Sequence, residues 1–90
     1  MSVTVRLPSV LKSAVGADRV EVAGATVREA LDAACAALPA LRQHILLADG
    51  NLRPHVLCLL NGDALPRRGF ADQPVRDGDE ILIHQAISGG

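Results

Sequence analysis

Aromatic residues are almost missing from this sequence: it has no Trp and no Tyr, and Phe70 is its single Phe. A surface that stacks on nucleobases needs several such rings, so their scarcity argues against single-stranded nucleic acid as a ligand. An excess of one charge is missing too. Nine basic and ten acidic residues leave a formal net charge of -1, without the electrostatic footprint of a nucleic-acid binder. No run of about 18 apolar residues occurs, and the opening Met1-Ser2-Val3-Thr4-Val5 lacks the charged and apolar blocks of a signal peptide. A cytoplasmic chain that does not engage a membrane is therefore expected. Cysteine is sparse: Cys35 and Cys58 each sit inside an apolar pattern with no paired spacing, which favours reduced core thiols over a disulfide framework. His44, His55 and His84 are scattered without metal-ligand spacing, and neither a Gly-rich phosphate loop nor a nucleophile and base at readable spacing is present. No metal, no bound cofactor and no enzyme built on Cys58 is expected.

What is present is apolar and patterned. Ninety residues with 49% hydrophobic content make one folded domain, able to bury about 60% of its unfolded surface. Ser2 to Leu7 alternates, with Val3, Val5 and Leu7 on one side, and Pro8 ends that strand. After a connecting stretch from Ser9 to Val15 and a turn at Gly16, Arg19-Val20-Glu21-Val22 alternates again, completing a hairpin with a long loop. Thr26-Val27-Arg28-Glu29 is a capping box, in which the Thr26 hydroxyl accepts from the Glu29 amide and the Glu29 carboxylate returns to the Thr26 amide. Behind it Val27, Ala30, Leu31, Ala34, Cys35 and Leu38 form the single stripe of a helix buried on one face. Pro39 disfavours helical geometry at Leu38 and stops the helix there.

Arg42 to Pro54 reads as a surface connection holding a helical turn anchored by Ile45 and Leu46. His55 to Leu60 is a continuous apolar run, expected as a strand buried on much of both faces, and Asn61-Gly62 closes it in a tight turn. Asp63 to Pro66 returns as a short strand, Arg67-Arg68-Gly69 makes a basic corner, and Glu80 to His84 forms a last strand after the Asp77-Gly78-Asp79 turn. The order implies an α+β fold, a mixed sheet of four to five strands with one main helix across one face.

Beyond that body, residues 1–86, lie Ile87-Ser88-Gly89-Gly90, read as a flexible tail. Two glycines without a β-carbon would let a narrow channel admit the end in extended form, with the carboxylate carbon of Gly90 as the reactive atom, while the plainer alternative is a Gly-Gly pair arising by chance or as a flexible terminus. An ionised carboxylate is a poor acyl donor until an oxygen is converted to a leaving group, and ATP-dependent adenylation by a partner is the usual means.

The turn, last strand and tail, Asp77-Gly78-Asp79-Glu80-Ile81-Leu82-Ile83 with Ser88-Gly89-Gly90, resemble those of the MoaD and ThiS sulfur carriers, ubiquitin-like proteins of the β-grasp fold. The start, Val3 to Leu11, and the segment Leu52 to Asp63 resemble the longer CysO-type carriers of actinobacteria. His84-Gln85-Ala86 departs from the family pattern, where many relatives carry an aromatic residue and proline before the tail. The resemblance implies a protein cosubstrate rather than an enzyme. A MoaD/ThiS-type activating enzyme would use ATP to adenylate Gly90, a sulfur donor would convert it to a thiocarboxylate, and Ile87, Ser88 and Gly89 would thread into the partner. A thiazole-synthase-like, cysteine-synthase-like or molybdopterin-synthase-like acceptor would then take the sulfur. The exposed face of the sheet with Leu65 and Phe70 is the candidate partner surface, although both residues equally suit the core, and Arg67 and Arg68 are candidate contacts for an acidic partner. Two alternatives stay open: a ubiquitin-like modifier joined through Gly90 to lysines, and a non-covalent interaction domain.

Overall fold

The computed structural model describes residues 2–85. In chain order the elements are β1 (Ser2–Arg6), a 3-10 turn (Ser9–Leu11), α1 (Lys12–Val15), β2 (Arg19–Ala23), α2 (Val27–Ala37), α3 (Leu41–Ile45), β3 (Val56–Leu60), β4 (Asp63–Ala64), a second 3-10 turn (Phe70–Asp72) and β5 (Glu80–Gln85). The five strands form one mixed sheet in the order β2-β1-β5-β3-β4, and α2 packs across it in the β-grasp arrangement. Among the described residues no helix is long and apolar enough to cross a membrane.

Strand alternation decides which side chains meet the helix. Val3 and Val5 of β1, Val56 and Cys58 of β3, and Ile81 and Ile83 of β5 are all buried, beneath Val27, Ala30, Leu31, Ala34 and Cys35 of α2. Each fully buried aliphatic side chain of this kind stabilises the fold by about 1.5–3 kcal/mol. Leu41 and Ile45 of α3 extend this core past the end of α2. That helix ends at Leu38, which leaves helical geometry at φ -126° just before Pro39, as the pre-proline restriction requires.

The start of α2 differs in one detail from the expected capping box. The Glu29 amide donates to Thr26 Oγ1 at 3.2 Å, but Glu29 Oε1 accepts from the Ala25 amide at 2.9 Å rather than from Thr26. The segment after the second 3-10 turn clasps the same backbone: the Val27 amide donates to Gln73 O and the Val75 amide to Ala25 O. Gly24 is required nearby, because a β-carbon there would lie 2.8 Å from the Ala30 nitrogen. The stretch from Ser9 to Val15, expected as plain connection, instead holds the first 3-10 turn and α1, with Leu11 buried as its anchor.

Candidate functional site

β5 leads towards the tail, and it is the central strand. It runs parallel to β1, with Val5 beside Ile81 and Arg6 beside Leu82, and antiparallel to β3, with Leu60 beside Ile81 and Val56 beside Gln85. Its entry is fixed by turn chemistry. Asn61 and Gly62, at φ 51° and 89°, take the left-handed conformations of a tight two-residue hairpin. The Asn61 side chain then accepts from the Glu80 amide at 2.9 Å and donates to Asp79 Oδ1 at 3.1 Å. Asp79 Oδ2 accepts from the Arg76 amide at 2.8 Å. That backbone bond, followed by the one from Asn61, holds the Asp79 carboxyl below the usual carboxylate range.

Beside the exit of β5, the start of β3 is held by Arg67. Its guanidinium reaches back to the start of β3: Nη1 and Nη2 both donate to Arg53 O at 3.3 Å, and Nη2 also donates to Pro54 O and, at 3.0 Å, to Val56 O. Since Val56 is the register partner of Gln85, Arg67 braces the part of β3 that lies beside the end of β5. Ile87, Ser88, Gly89 and Gly90, the expected reactive tail, lie outside the described residues.

The other expected contact residues are distributed differently. Phe70, the candidate for a partner surface, is 2% exposed and belongs to the core: as the sole aromatic side chain it fills the space beneath the second 3-10 turn. Leu65 is half-buried against that core, and its amide donates to Cys58 O at 2.8 Å. Arg68 is exposed, as a partner contact requires.

The exposed apolar surface centres on β3, the run read from the sequence as buried on much of both faces. β3 is covered on one face only, leaving Leu57 39% exposed on the other. On that face Leu59 stands opposite Leu82 on one side and Ala64 on the other, and Leu57 stands opposite His84. Arg6 and Glu80, paired at 3.5 Å, border this patch. The apolar run was visible in the sequence, but the side left uncovered is a property of the assembled sheet.

Neither cysteine is prepared for nucleophilic work. Burial pushes the Cys58 thiol up to about 12, and burial is also the main cause that raises Cys35, with Arg42 opposing and Asp32 adding to it. Among the described residues no group of three or more His, Cys, Asp or Glu side chains could hold a metal ion.

The central strand β5 thus contributes Leu82 to an uncovered apolar sheet face shared with Leu57, Leu59 and Ala64. The sequence pattern of the ThiS family matches residues 5–90. The chain belongs to the ThiS family. Small archaeal modifier protein 1 of Haloferax volcanii is 40% identical to this ThiS-family chain over 73 residues, spanning 80% of the chain and 79% of that relative. The crystal structure of SAMP1 from Haloferax volcanii aligns with a TM-score of 0.86 at 33% identity, covering 100% of each chain. A chain of the Amycolatopsis orientalis BexX/CysO complex aligns with a TM-score of 0.84 at 29% identity, covering 98% of this chain and 99% of that one. The ThiS-family chain is thus a ubiquitin-like protein of the carrier and modifier group.

Proposed function

We propose that this protein is a sulfur carrier, with residues 1–86 as its body, residues 87–90 as its reactive tail and the cytoplasm as its place of work. In an activating enzyme that binds ATP, a Gly90 carboxylate oxygen attacks the α-phosphorus and pyrophosphate leaves. A sulfur nucleophile then displaces AMP, which keeps that oxygen, and Gly90 becomes a thiocarboxylate. In the acceptor synthase the sulfur attacks an electrophilic carbon, expelling that carbon's leaving group or adding across its double bond, and water cleaves the acyl–sulfur bond to restore the carboxylate and leave the sulfur on the acceptor as a thiol. The carrier supplies position rather than acid–base catalysis, since sulfur held on a folded body is delivered in place instead of by diffusion.

The observation that carries this reading is the family match, which runs through Gly89 and Gly90. The patch of Leu57, Leu59, Ala64 and Leu82 supports it as a surface by which partner enzymes hold the body while the tail enters their sites. That the structurally similar CysO is known in complex with BexX favours another protein as a partner of this chain. Ile87, Ser88 and Gly89 are the threading segment.

The names of the archaeal modifier relatives favour a second reading, in which the activated Gly90 is captured by a lysine amine as an isopeptide. Intact mass spectrometry separates the two. The protein incubated with ATP, a ThiS- or MoaD-type activating enzyme and sulfide is expected to shift by the replacement of one oxygen with sulfur, and a variant lacking Gly90 is not. Folded protein that stays unshifted with several such enzymes refutes sulfur carriage, and lysine-linked adducts in cell extract establish modification.

A further inference from the structure

A cleft of about 550 Å³ opens between the start of α2, the loop around Asn51 and the second 3-10 turn. Its charged groups are three guanidinium groups, of Arg28, Arg67 and Arg68, against the single carboxylate of Asp72. Among the described residues the ion pairs are Arg6 with Glu80 and Arg42 with Asp32, so none of the cleft arginines is held in an ion pair and their charge exceeds that of Asp72.

Two of these arginines are held before any ligand arrives. The carbonyl oxygens of Arg53, Pro54 and Val56 fix Arg67. Arg28 lies over the Phe70 ring, 5.7 Å from its centroid, and close against the 49–51 loop: a β-carbon at Gly50 would sit 3.2 Å from Arg28 Nη1. Arg68 stands exposed at the rim. Much of the entropic cost of ordering long side chains is therefore already met in the free protein, and planar guanidinium forks suit carboxylate oxygens.

From these groups we infer that the cleft is a second recognition point, which receives an acidic peptide segment of a protein partner. Charge complementarity selects the occupant: three guanidinium groups against one carboxylate suit a chain that carries several carboxylates, and the fixed forks of the arginines suit the oxygens of each. The site is separate from the uncovered sheet face, and its recognition requires no chemistry at Gly90.

The test uses the unactivated, isotopically labelled protein, titrated in low salt with a capped hexaglutamate peptide and followed by amide NMR. Saturable shifts confined to Arg28, Asn51, Gly69 and neighbouring amides are expected, absent with hexaglutamine and reduced by physiological salt, which screens exposed charges beyond about 8 Å. Arg68→Glu, an exposed substitution, is expected to weaken binding by about tenfold with the remaining spectrum intact, and Arg28→Gln should weaken it while keeping a polar side chain over Phe70. Three results would overturn the inference: no localised shifts, equal shifts with inorganic phosphate at the same concentration, or unchanged affinity in both variants. Because no activation step enters the titration, its outcome is independent of the mass-spectrometric test of sulfur carriage.

Discussion

Replacing Arg67 by Ala asks whether the exit of β5 is braced or merely decorated. Hydrogen bonds to a charged group contribute about 1.5–3 kcal/mol each when water cannot replace them. The contacts to Arg53 O and Pro54 O are exposed, so water recovers most of their value, whereas the 3.0 Å bond to Val56 O is partly buried. The expected loss is therefore that of about one charged bond, roughly 2 kcal/mol, and not the sum of every contact. For a domain of this size that is a fall in Tm on the order of 10 °C. Urea unfolding gives the global value, and amide exchange near Val56 and Gln85 reports whether the loss is felt at the exit. Arg67→Lys keeps the charge without the planar fork and should recover less than half of the stability. If Arg67→Ala unfolds at the parent midpoint and exchange near Gln85 is unchanged, the brace has no energetic content.

Other substitutions read other parts of the argument. Phe70→Ala should cost about 3–5 kcal/mol by thermal or urea unfolding, as a truncated core ring does; an unchanged Tm with weaker partner binding would reverse its assignment to the core. Leu57→Glu on the uncovered sheet face should change stability by no more than about 0.5 kcal/mol. The same variant should weaken association with an activating enzyme by about tenfold in a titration, and full affinity would remove this face from partner contact. Asp79 has its folded pKa lowered, so its stabilising effect is present above the unfolded value of about 3.9 and is lost as pH falls through the folded value. Asp79→Asn should therefore flatten the acid side of the stability profile below about pH 4, measured as urea midpoints; an unaltered acid slope would count against the network at the β5 entry.

Local chemistry made much of this fold readable. The Thr26 and Glu29 spacing places the start of α2, Pro39 its end, and Asn61-Gly62 the hairpin, because each acts on backbone within a few residues. The features that were not readable depend on segments far apart in sequence. Arg67 looks like half of a solvated basic corner until it is seen bonded to carbonyls 11 to 14 residues earlier. A continuous apolar run such as Val56 to Leu60 reads the same whether one or both faces are covered, so the exposure of Leu57 appears only once α2 has taken the other side. Phe70 suited either surface or core, and the absence of any other large ring helps explain why the core claims it. The helical turns between Ser9 and Val15 are too short to show a periodic signal at all.

The placement of β5 between a parallel and an antiparallel neighbour has a mechanical consequence. Traction applied beyond Gln85, along the strand axis, loads the ladders to β1 and β3 in shear, so their hydrogen bonds must yield together. An edge strand peeled from one end would surrender them one at a time. A load on β5 is thus shared by both neighbouring strands and borne by the body as a whole.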